Sequence, residues 1–177
     1  MGIEDINFDL LPDMSKPGRS SAPQQAYKAP PAGLALMRLV AYVELGKHKE
    51  TYMGDEKIND KVQLVFELHG KNYPVENNQP MRVTVTENLS NFEKANFYKL
   101  FMMMRAGDES IKHMAQLVGR SFKGRVFNEK SKDGTKTFAK LKTKENFYEI
   151  GPAVQEDPES GEIRSINVPE AISPLKV

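Results

Sequence analysis

Cysteine and tryptophan are both absent from the 177 residues of this chain. Without cysteine, the chain can form no disulfide framework, no thiolate nucleophile and no cysteine-ligated zinc site. This composition agrees with a reducing cytosol. Without tryptophan, base-stacking would depend on the nine phenylalanines and six tyrosines.

Long apolar runs are also lacking. No stretch approaches the roughly 18 residues that a membrane-spanning helix needs, and the N-terminus lacks the basic and apolar regions of a secretory signal. Hydrophobic residues make up 39% of the chain and charged residues 28%, values typical of a soluble globular protein. We therefore expect a cytoplasmic protein that does not bind membranes.

Motifs of the common enzyme classes are missing too. There is no phosphate loop of the form Gly-x-x-x-x-Gly-Lys, no Gly-x-Ser-x-Gly and no His-Glu-x-x-His. The three histidines, His48, His69 and His113, do not have the spacing of metal ligands. We therefore expect a protein that is not an enzyme and that uses no metal ion or cofactor.

Charge is present but unevenly distributed, although the net charge is only +1. Residues 1–32 carry three basic and four acidic groups, residues 33–150 carry 20 and 15, and residues 151–177 carry two and five. Together with the positions of the prolines, this predicts a flexible N-terminal arm (residues 1–33), a basic domain (residues 34–150) and an acidic irregular tail (residues 151–177).

The strongest signal is a basic segment, with ten cations and only two acids between Lys112 and Lys144. Around a turn at residues 132–134 it alternates like a β-hairpin, with small or apolar side chains on one face. The other face is cationic and carries Phe127 and Phe138. A surface that follows phosphates and stacks bases needs both features. If the strand parity shifted by one residue, both rings would enter the core and the hairpin would be an ordinary solvated one.

Three strands are predicted before this hairpin. The first runs from Leu34 to about Lys49 and is apolar on both faces at its start, which suggests a bulged, bent strand. A polar loop is expected at residues 46–60. Strict alternation then predicts a second strand at residues 62–68 and a third at residues 81–86.

A helix is predicted between the third strand and the basic hairpin. Ser90 and Glu93 match a capping box, and Gly107 stands where such a helix would end. Three strands, a helix and two further strands form the order of a mainly β fold, the five-stranded Greek-key barrel of the oligonucleotide-binding type.

In layout, the chain resembles the single-stranded DNA-binding proteins encoded by tailed bacteriophages. The resemblance covers residues 34–150, and it lies in the segments LMRLVAYVEL (36–45), VQLVFELHG (62–70), the helix at 92–107 and LVGRSFKGRVFNEKSKDGTKTFAKL (117–141). It implies a protein that coats single-stranded DNA with little sequence preference during phage replication or recombination, in the host cytoplasm. It also implies that the acidic tail recruits replication or recombination proteins or competes with DNA. Apolar residues at 163, 166, 168 and 172 would alternatively let the tail pack on the body.

Two groups of side chains are expected to hold the strand. The cations expected to neutralise phosphates are Arg38, Lys47, Lys49, Arg82, Lys123, Arg125, Lys140 and Lys142. The rings expected to stack on bases are Phe127 and Phe138, with Tyr42 or Tyr52. For Arg38 and Tyr42, packing inside the fold is the alternative. The alternative function is a virion structural protein or protein-interaction module that uses the same barrel-like sheet.

Overall fold

The computed structural model describes residues 28–177, so the predicted N-terminal arm lies outside the described residues up to residue 27. One α-helix and eight strands follow in chain order. They are β1 (Gly33–Tyr52), β2 (Asp55–His69), β3 (Arg82–Asn88), α1 (Asn96–Arg105), β4 (Ser121–Lys130), β5 (Thr137–Lys140), β6 (Ile150–Pro152), β7 (Val154–Glu156) and β8 (Ile163–Ser165), with a short 3₁₀ turn at Met114–Leu117 before β4.

The main sheet is antiparallel, with strand order β3-β2-β1-β4-β5 and with β6 beside the first half of β4. This confirms a mainly β fold with a helix between the third and fourth strands. In the described part of the chain, no backbone ladder joins β3 to β5. The two edges are instead linked by side chains, because Glu87 of β3 accepts bonds from Lys142 (2.5 Å) and Tyr148 (2.6 Å).

The core lies on one face of this sheet. The alternation predicted for β2 is confirmed, since Val62, Leu64, Phe66 and Leu68 are all buried. Phe66 meets Phe122 of β4 edge to face, with ring centroids 6.4 Å apart. Such a pair adds about 0.5–1.5 kcal/mol beyond the burial of its area. The packing of β2 against β4 therefore fixes which face of the later hairpin points inward.

The helix starts later than the sequence predicts. Ala95 is its N-cap, and Ser90 instead accepts a bond from the amide of Phe92 in the loop before the helix. Such local bonds from serine to the backbone compete with helix formation, so the predicted capping box is wrong. The predicted end near Gly107 is confirmed, since Ala106 and Gly107 both have positive φ. The shorter helix leaves Phe92 outside it and 78% exposed.

The predicted bulge in β1 is confirmed. The pairing with β2 shifts between Leu39 and Ala41, which leaves Val40 as an extra residue. An extra residue reverses the parity of the strand beyond it. Leu39 and Tyr42 therefore both face the core, although their sequence positions differ by an odd number.

The predicted polar loop at residues 46–60 is wrong. The strands β1 and β2 stay paired to Tyr52 and Asp55, and Met53 and Gly54 form the two-residue turn with positive φ. Such turns suit the twist of a hairpin. This extended end of the β1–β2 hairpin, residues 46–60, is called the arm below and is distinct from the predicted N-terminal arm. Both faces of the arm are largely exposed, so its sequence shows no apolar alternation.

The C-terminal residues are more ordered than an irregular tail. They form β6 against β4 and the β7–β8 hairpin, and the last residues then cross the outer face of β1 and β2. Ile172 and Ser173 donate their amides to Glu67 of β2 at 2.9 Å, and Lys176 exchanges backbone bonds with Val40 and Tyr42. Residues 168–173, called the C-terminal strap below, thus cover the outer side of the sheet.

Candidate nucleic-acid interface

The outer face of the β4–β5 hairpin carries both predicted stacking rings. Phe127 lies directly across from Lys140, and Phe138 lies across from Glu129. Residues paired in this way share a face, so the two rings are diagonal neighbours. Phe138 is 43% exposed and Phe127 is half-buried. The predicted alternation is confirmed, because Phe122, Gly124 and Val126 are the buried residues of β4.

The turn between the two strands is held by Asp133. Its carboxylate accepts hydrogen bonds from the hydroxyl and the amide of Thr135 and from the hydroxyl of Ser131. The bonds from Ser131 and Thr135 lower the pKa of Asp133 to about 2. The carboxylate is therefore ionised at neutral pH, and its bonds to Ser131 and Thr135 fix the tip of the hairpin.

Several of the predicted phosphate-binding cations already have partners within the protein. Arg125 contacts Glu149 at 2.8 Å, Lys142 contacts Glu87 at 2.5 Å, and Lys140 contacts Glu129. Lys123 is exposed and donates to the carbonyl of Val154 at 2.8 Å. Because exposed ion pairs are weak, a phosphate could compete for Arg125 or Lys140. Lys142 is less accessible, since its partner Glu87 is buried.

Three further lysines lie at the tip of the same hairpin. Lys130, Lys132 and Lys136 are exposed, and within residues 28–177 none of them has a carboxylate partner. They are called the tip lysines below. They belong to the ten cations of the basic segment but are not among the predicted phosphate-binding residues.

Three of the predicted contacts on β1, namely Lys47, Lys49 and Tyr52, lie in the arm, at the far end of β1 from this hairpin. The first residue of β1, Gly33, pairs with Val126 beside Phe127, whereas Tyr52 is the last residue of the strand. Lys47 and Lys49 are exposed, and Lys49 pairs with Glu56 at 2.6 Å. Tyr52 is exposed, and the Lys57 ammonium lies 6.0 Å from its ring centroid. Lys47, Lys49 and Tyr52 are therefore not part of one patch with Phe127 and Phe138.

Arg38 is buried, so it is not available to phosphate. Its guanidinium donates to the carbonyls of Gly119 (2.5 Å), Val168 (2.7 Å) and Pro169 (3.0 Å). It also lies 3.5 Å from a carboxylate oxygen of Glu170. These bonds fasten the C-terminal strap to β1. The role expected for Arg38 is corrected accordingly, because packing inside the fold was the right alternative.

Tyr42 is likewise buried and therefore not free to stack on a base. The bulge at Val40 turns it inward, and its hydroxyl donates to Glu44 at 2.7 Å. Burial and this bond together raise the pKa of the Tyr42 hydroxyl. Arg82, in contrast, is exposed on the outer face of β3, in register with Glu67.

A buried charged cluster was not anticipated from the sequence. Glu67 is fully buried beneath the C-terminal strap, and the His69 imidazole lies 3.2 Å from its carboxylate. Burial alone would raise the pKa of Glu67, but hydrogen bonds from Ser173 and Ile172 outweigh it and lower that pKa. Burial also lowers the pKa of His69. The strand pattern had placed Glu67 on a solvent-facing parity, and nothing local marks the residues that cover it.

The part of the chain that the structure describes contains neither a cluster of metal-ligating side chains nor a membrane-spanning helix. Residues 28–177 contain no group of three acidic or histidine side chains placed to hold a metal ion. No helix in that range has the length and hydropathy needed to cross a bilayer. Comparison with known proteins adds no relative, because no family model, curated protein or solved structure matches this chain.

Proposed function

We propose that this protein binds single-stranded DNA with little sequence preference, and that the outer face of the β4–β5 hairpin is its main contact surface. The observation that carries the proposal is the pair of diagonal rings, Phe127 and Phe138, on a face with cations around it. Stacking on a ring tolerates every base, and cations follow the phosphates of any sequence. The resemblance to phage proteins favours DNA as the nucleic acid and replication or recombination as the setting.

The exposure of Phe138 supports this assignment. Burying a phenylalanine stabilises a protein by about 1.5–3 kcal/mol relative to leaving it exposed. A ring that is 43% exposed gives up part of that gain. Phe138 also lies across from Glu129, whose charge is already paired with Lys140. A base stacked on this ring would therefore not face an uncompensated carboxylate.

The tip lysines supply the second half of the contact. Each phosphate neutralised on a single strand contributes about 0.7 to the slope of log affinity against log salt. The three tip lysines, with Lys123 and Arg125 adding up to two further phosphate contacts, would give a slope of roughly −2 to −3.5. Salt-dependent binding of that size is expected for a surface of about five contacts.

We also propose that the sheet belongs to the oligonucleotide-binding type of barrel. The order β3-β2-β1-β4-β5 is the order of such a barrel opened between its third and fifth strands. Glu87 supports this reading, because it bonds across that gap to Lys142 and Tyr148. Burial and the bond to Glu87 raise the pKa of Tyr148, so the link is uncharged on the tyrosine side at neutral pH.

The test uses a fluorescently labelled 20-nucleotide oligothymidine (dT20). It is titrated with the full chain at low salt, and binding is measured by fluorescence anisotropy. We expect binding at micromolar protein or below, displaced by unlabelled dT20 far better than by duplex DNA. An equal competition by U20 would extend the proposal from DNA to single strands in general. The proposal fails if dT20 is not bound at micromolar protein and low salt.

The arm favours a second candidate function, contact with another protein. Three large apolar side chains, Tyr52, Met53 and Ile58, are exposed there, and Met53 at the tip is 87% exposed. The exposed acids Glu156, Glu159 and Glu162 offer a further surface, which could bind replication or recombination proteins. Sedimentation of the wild type and of a Met53→Asp variant tests the arm. A lower mass of the sedimenting particle in Met53→Asp than in the wild type would show that the arm holds copies of the chain together and would favour the protein contact.

A further inference from the structure

An open cleft of about 530 Å³ lies at the other end of the sheet from the β4–β5 hairpin. Its walls come from three places: the inner side of β1 near Glu44, the loop between β3 and α1, and the first turns of α1. Residues 112–114, just before the 3₁₀ turn, complete the rim. The volume falls within the range of about 300–1,000 Å³ that small-ligand sites occupy.

The lining of this cleft is unusually aromatic. Five of the chain's 15 phenylalanines and tyrosines contribute to it, namely Tyr42, Phe92, Phe97, Tyr98 and Phe101. Tyr42 and Phe97 are buried and form part of the core, while Tyr98 and Phe101 are half-buried. Phe92 stands at the rim and is 78% exposed. A planar ring entering the cleft would therefore have aromatic neighbours, one of which has little role in the core.

The polar groups at the rim differ in sign. Lys112 is exposed and, within residues 28–177, has no carboxylate partner. Glu44 is exposed, and one of its oxygens accepts the bond from Tyr42. Within residues 28–177, the second oxygen of Glu44 accepts no hydrogen bond, so it can accept one from an N–H group. The cleft thus offers rings for stacking, an acceptor for a base edge and a cation for a phosphate.

We propose that this cleft holds one nucleotide of a bound single strand, with its base against Phe92 and Tyr98 and its phosphate at Lys112. This inference rests on the proposed function and extends it to a second contact site. A nucleotide fits better than an apolar peptide segment, because an apolar peptide carries no anionic group to pair with Lys112. Every base carries at least one N–H donor, so the contact with Glu44 agrees with binding that has little sequence preference.

The first test uses Phe92→Ala, with Phe147→Ala as its matched control. Both phenylalanines are largely exposed, and Phe147 lies in a turn that does not line the cleft. A base stack is worth about 1–3 kcal/mol, so Phe92→Ala should weaken dT20 binding by roughly five- to 150-fold. Phe147→Ala should change it by less than about twofold. Equal affinity of Phe92→Ala and the wild type overturns the cleft proposal.

The second test separates this inference from the proposed function. If the wild type binds dT20 and Phe138→Ala weakens binding while Phe92→Ala does not, the hairpin remains and the cleft is refuted. If the wild type does not bind dT20, the proposed function fails. NMR titration with dTMP then decides on the cleft alone. Saturable shifts at Tyr98 and Lys112 would support a nucleotide site, and their absence would overturn it.

The third test covers the phosphate and the competing occupant. Lys112→Ala should lower the magnitude of the salt slope by about 0.7, whereas Lys71→Ala, an exposed lysine of the β2–β3 loop, should not. An unchanged slope for Lys112→Ala contradicts the assigned phosphate contact. Sedimentation of the wild type and Phe92→Ala addresses a second copy of the chain. A wild-type dimer that becomes monomeric in Phe92→Ala would show that the cleft binds protein and would overturn the proposal.

Discussion

The outer face of the sheet carries charge in two regions that differ in what covers them. On β1 and β2, Arg38, Glu67 and His69 are buried under the C-terminal strap. On the β4–β5 hairpin, Phe138 and the tip lysines are exposed. Arg38, Glu67 and Phe138 all lie on the outer face of their strands. The comparison shows that facing outward decides little by itself, because a later segment of the chain can close one part of the face and leave another open.

The two regions also satisfy their charges differently. The guanidinium of Arg38 bonds to three backbone carbonyls, and the carboxylate of Glu67 accepts two backbone amides. Buried charges need such partners, since an unpaired one is costly. On the hairpin, Arg125 and Lys140 pair with carboxylates that are at least partly exposed, and the tip lysines have no carboxylate partner within the described range. Arg38, Glu67 and His69 under the C-terminal strap, called the covered cluster below, should therefore control folding stability. The exposed face of the β4–β5 hairpin, called the open hairpin below, should control binding.

The largest expected effect comes from Arg38→Ala. It leaves three carbonyl acceptors without their donor, one in a buried bond and two in partly buried bonds. A buried acceptor left unsatisfied costs about 1–3 kcal/mol. The free energy of unfolding, measured with urea, should fall by roughly 3 kcal/mol or more. Arg82→Ala removes an exposed arginine and should change it by no more than about 0.5 kcal/mol. A stable Arg38→Ala variant that had lost dT20 affinity would reverse the roles of the two regions.

Phe138→Ala should show the opposite pattern. We expect dT20 affinity to fall by roughly five- to 150-fold, from the loss of a stack worth about 1–3 kcal/mol. The urea midpoint should barely move, because an exposed ring leaves no core cavity. Phe127→Ala should affect both quantities, since that ring is half-buried. If Phe138→Ala instead lost the 3–5 kcal/mol typical of a buried phenylalanine, the ring would belong to the core.

A combined substitution of the tip lysines by alanine should change the salt response. Removing three phosphate contacts lowers the magnitude of the salt slope by up to about 2.1, at roughly 0.7 for each contact. Replacing Lys142 alone should change it less, because Lys142 is engaged with buried Glu87. The measurement is dT20 affinity at four or more salt concentrations. An unaltered slope in the triple variant would make these lysines ordinary solvated residues.

Acidification should loosen the covered cluster by a smaller amount. The pKa of His69 is lowered in the folded state by burial and by Arg38, with Glu67 opposing, so folding favours the neutral ring. Stability from this group is present above its unfolded pKa of about 6.5 and is lost as the pH falls below it. The pKa of Glu67 is also lowered, so a second loss begins below about pH 4.5. Both losses have the same sign.

Urea titrations at pH 7.5 and 5.5 test the first of these losses. Stability at pH 5.5 should be lower, by no more than about 1.4 kcal/mol for this one group, since one pKa unit corresponds to that amount. In His69→Gln the difference between the two pH values should shrink. In His48→Gln, which replaces an exposed histidine of the arm, it should persist. An equal difference in wild type and His69→Gln would remove His69 from the account.

Local patterns were enough to predict much of the fold. Strand β2, the bulge in β1 and the parity of β4 follow from alternation of side chains, which depends on neighbours along the chain. The paired strands of the arm were not predicted, because both of their faces are exposed to solvent and the sequence therefore shows no apolar alternation there. The burial of Arg38 under the C-terminal strap could not be predicted for another reason. Its hydrogen-bond partners at Val168 and Pro169 lie about 130 residues away in sequence.

The candidate site was predicted in part for the same physical reasons. Phe127 and Phe138 share a face because a short hairpin joins their strands, and a turn signal at residues 132–134 marks that hairpin. The face on which the side chains of Tyr42 and Tyr52 lie depends on the number of bulges in β1. Each bulge reverses the alternation of the strand without a local sequence signal. The aromatic cleft depends on where α1 begins, and the bond that Ser90 accepts from the amide of Phe92 lies in the loop before the helix.

The central claim is that the open hairpin, and not the covered cluster, is the surface that binds single-stranded DNA. The most direct test is an NMR titration of the ¹⁵N-labelled protein with dT20, read residue by residue. We predict large amide shifts at residues 123–140, centred on Phe127, Phe138 and the tip lysines, with little change in the C-terminal strap. Shifts confined to the strap and its neighbours on β1 and β2, with a silent hairpin, would contradict the account.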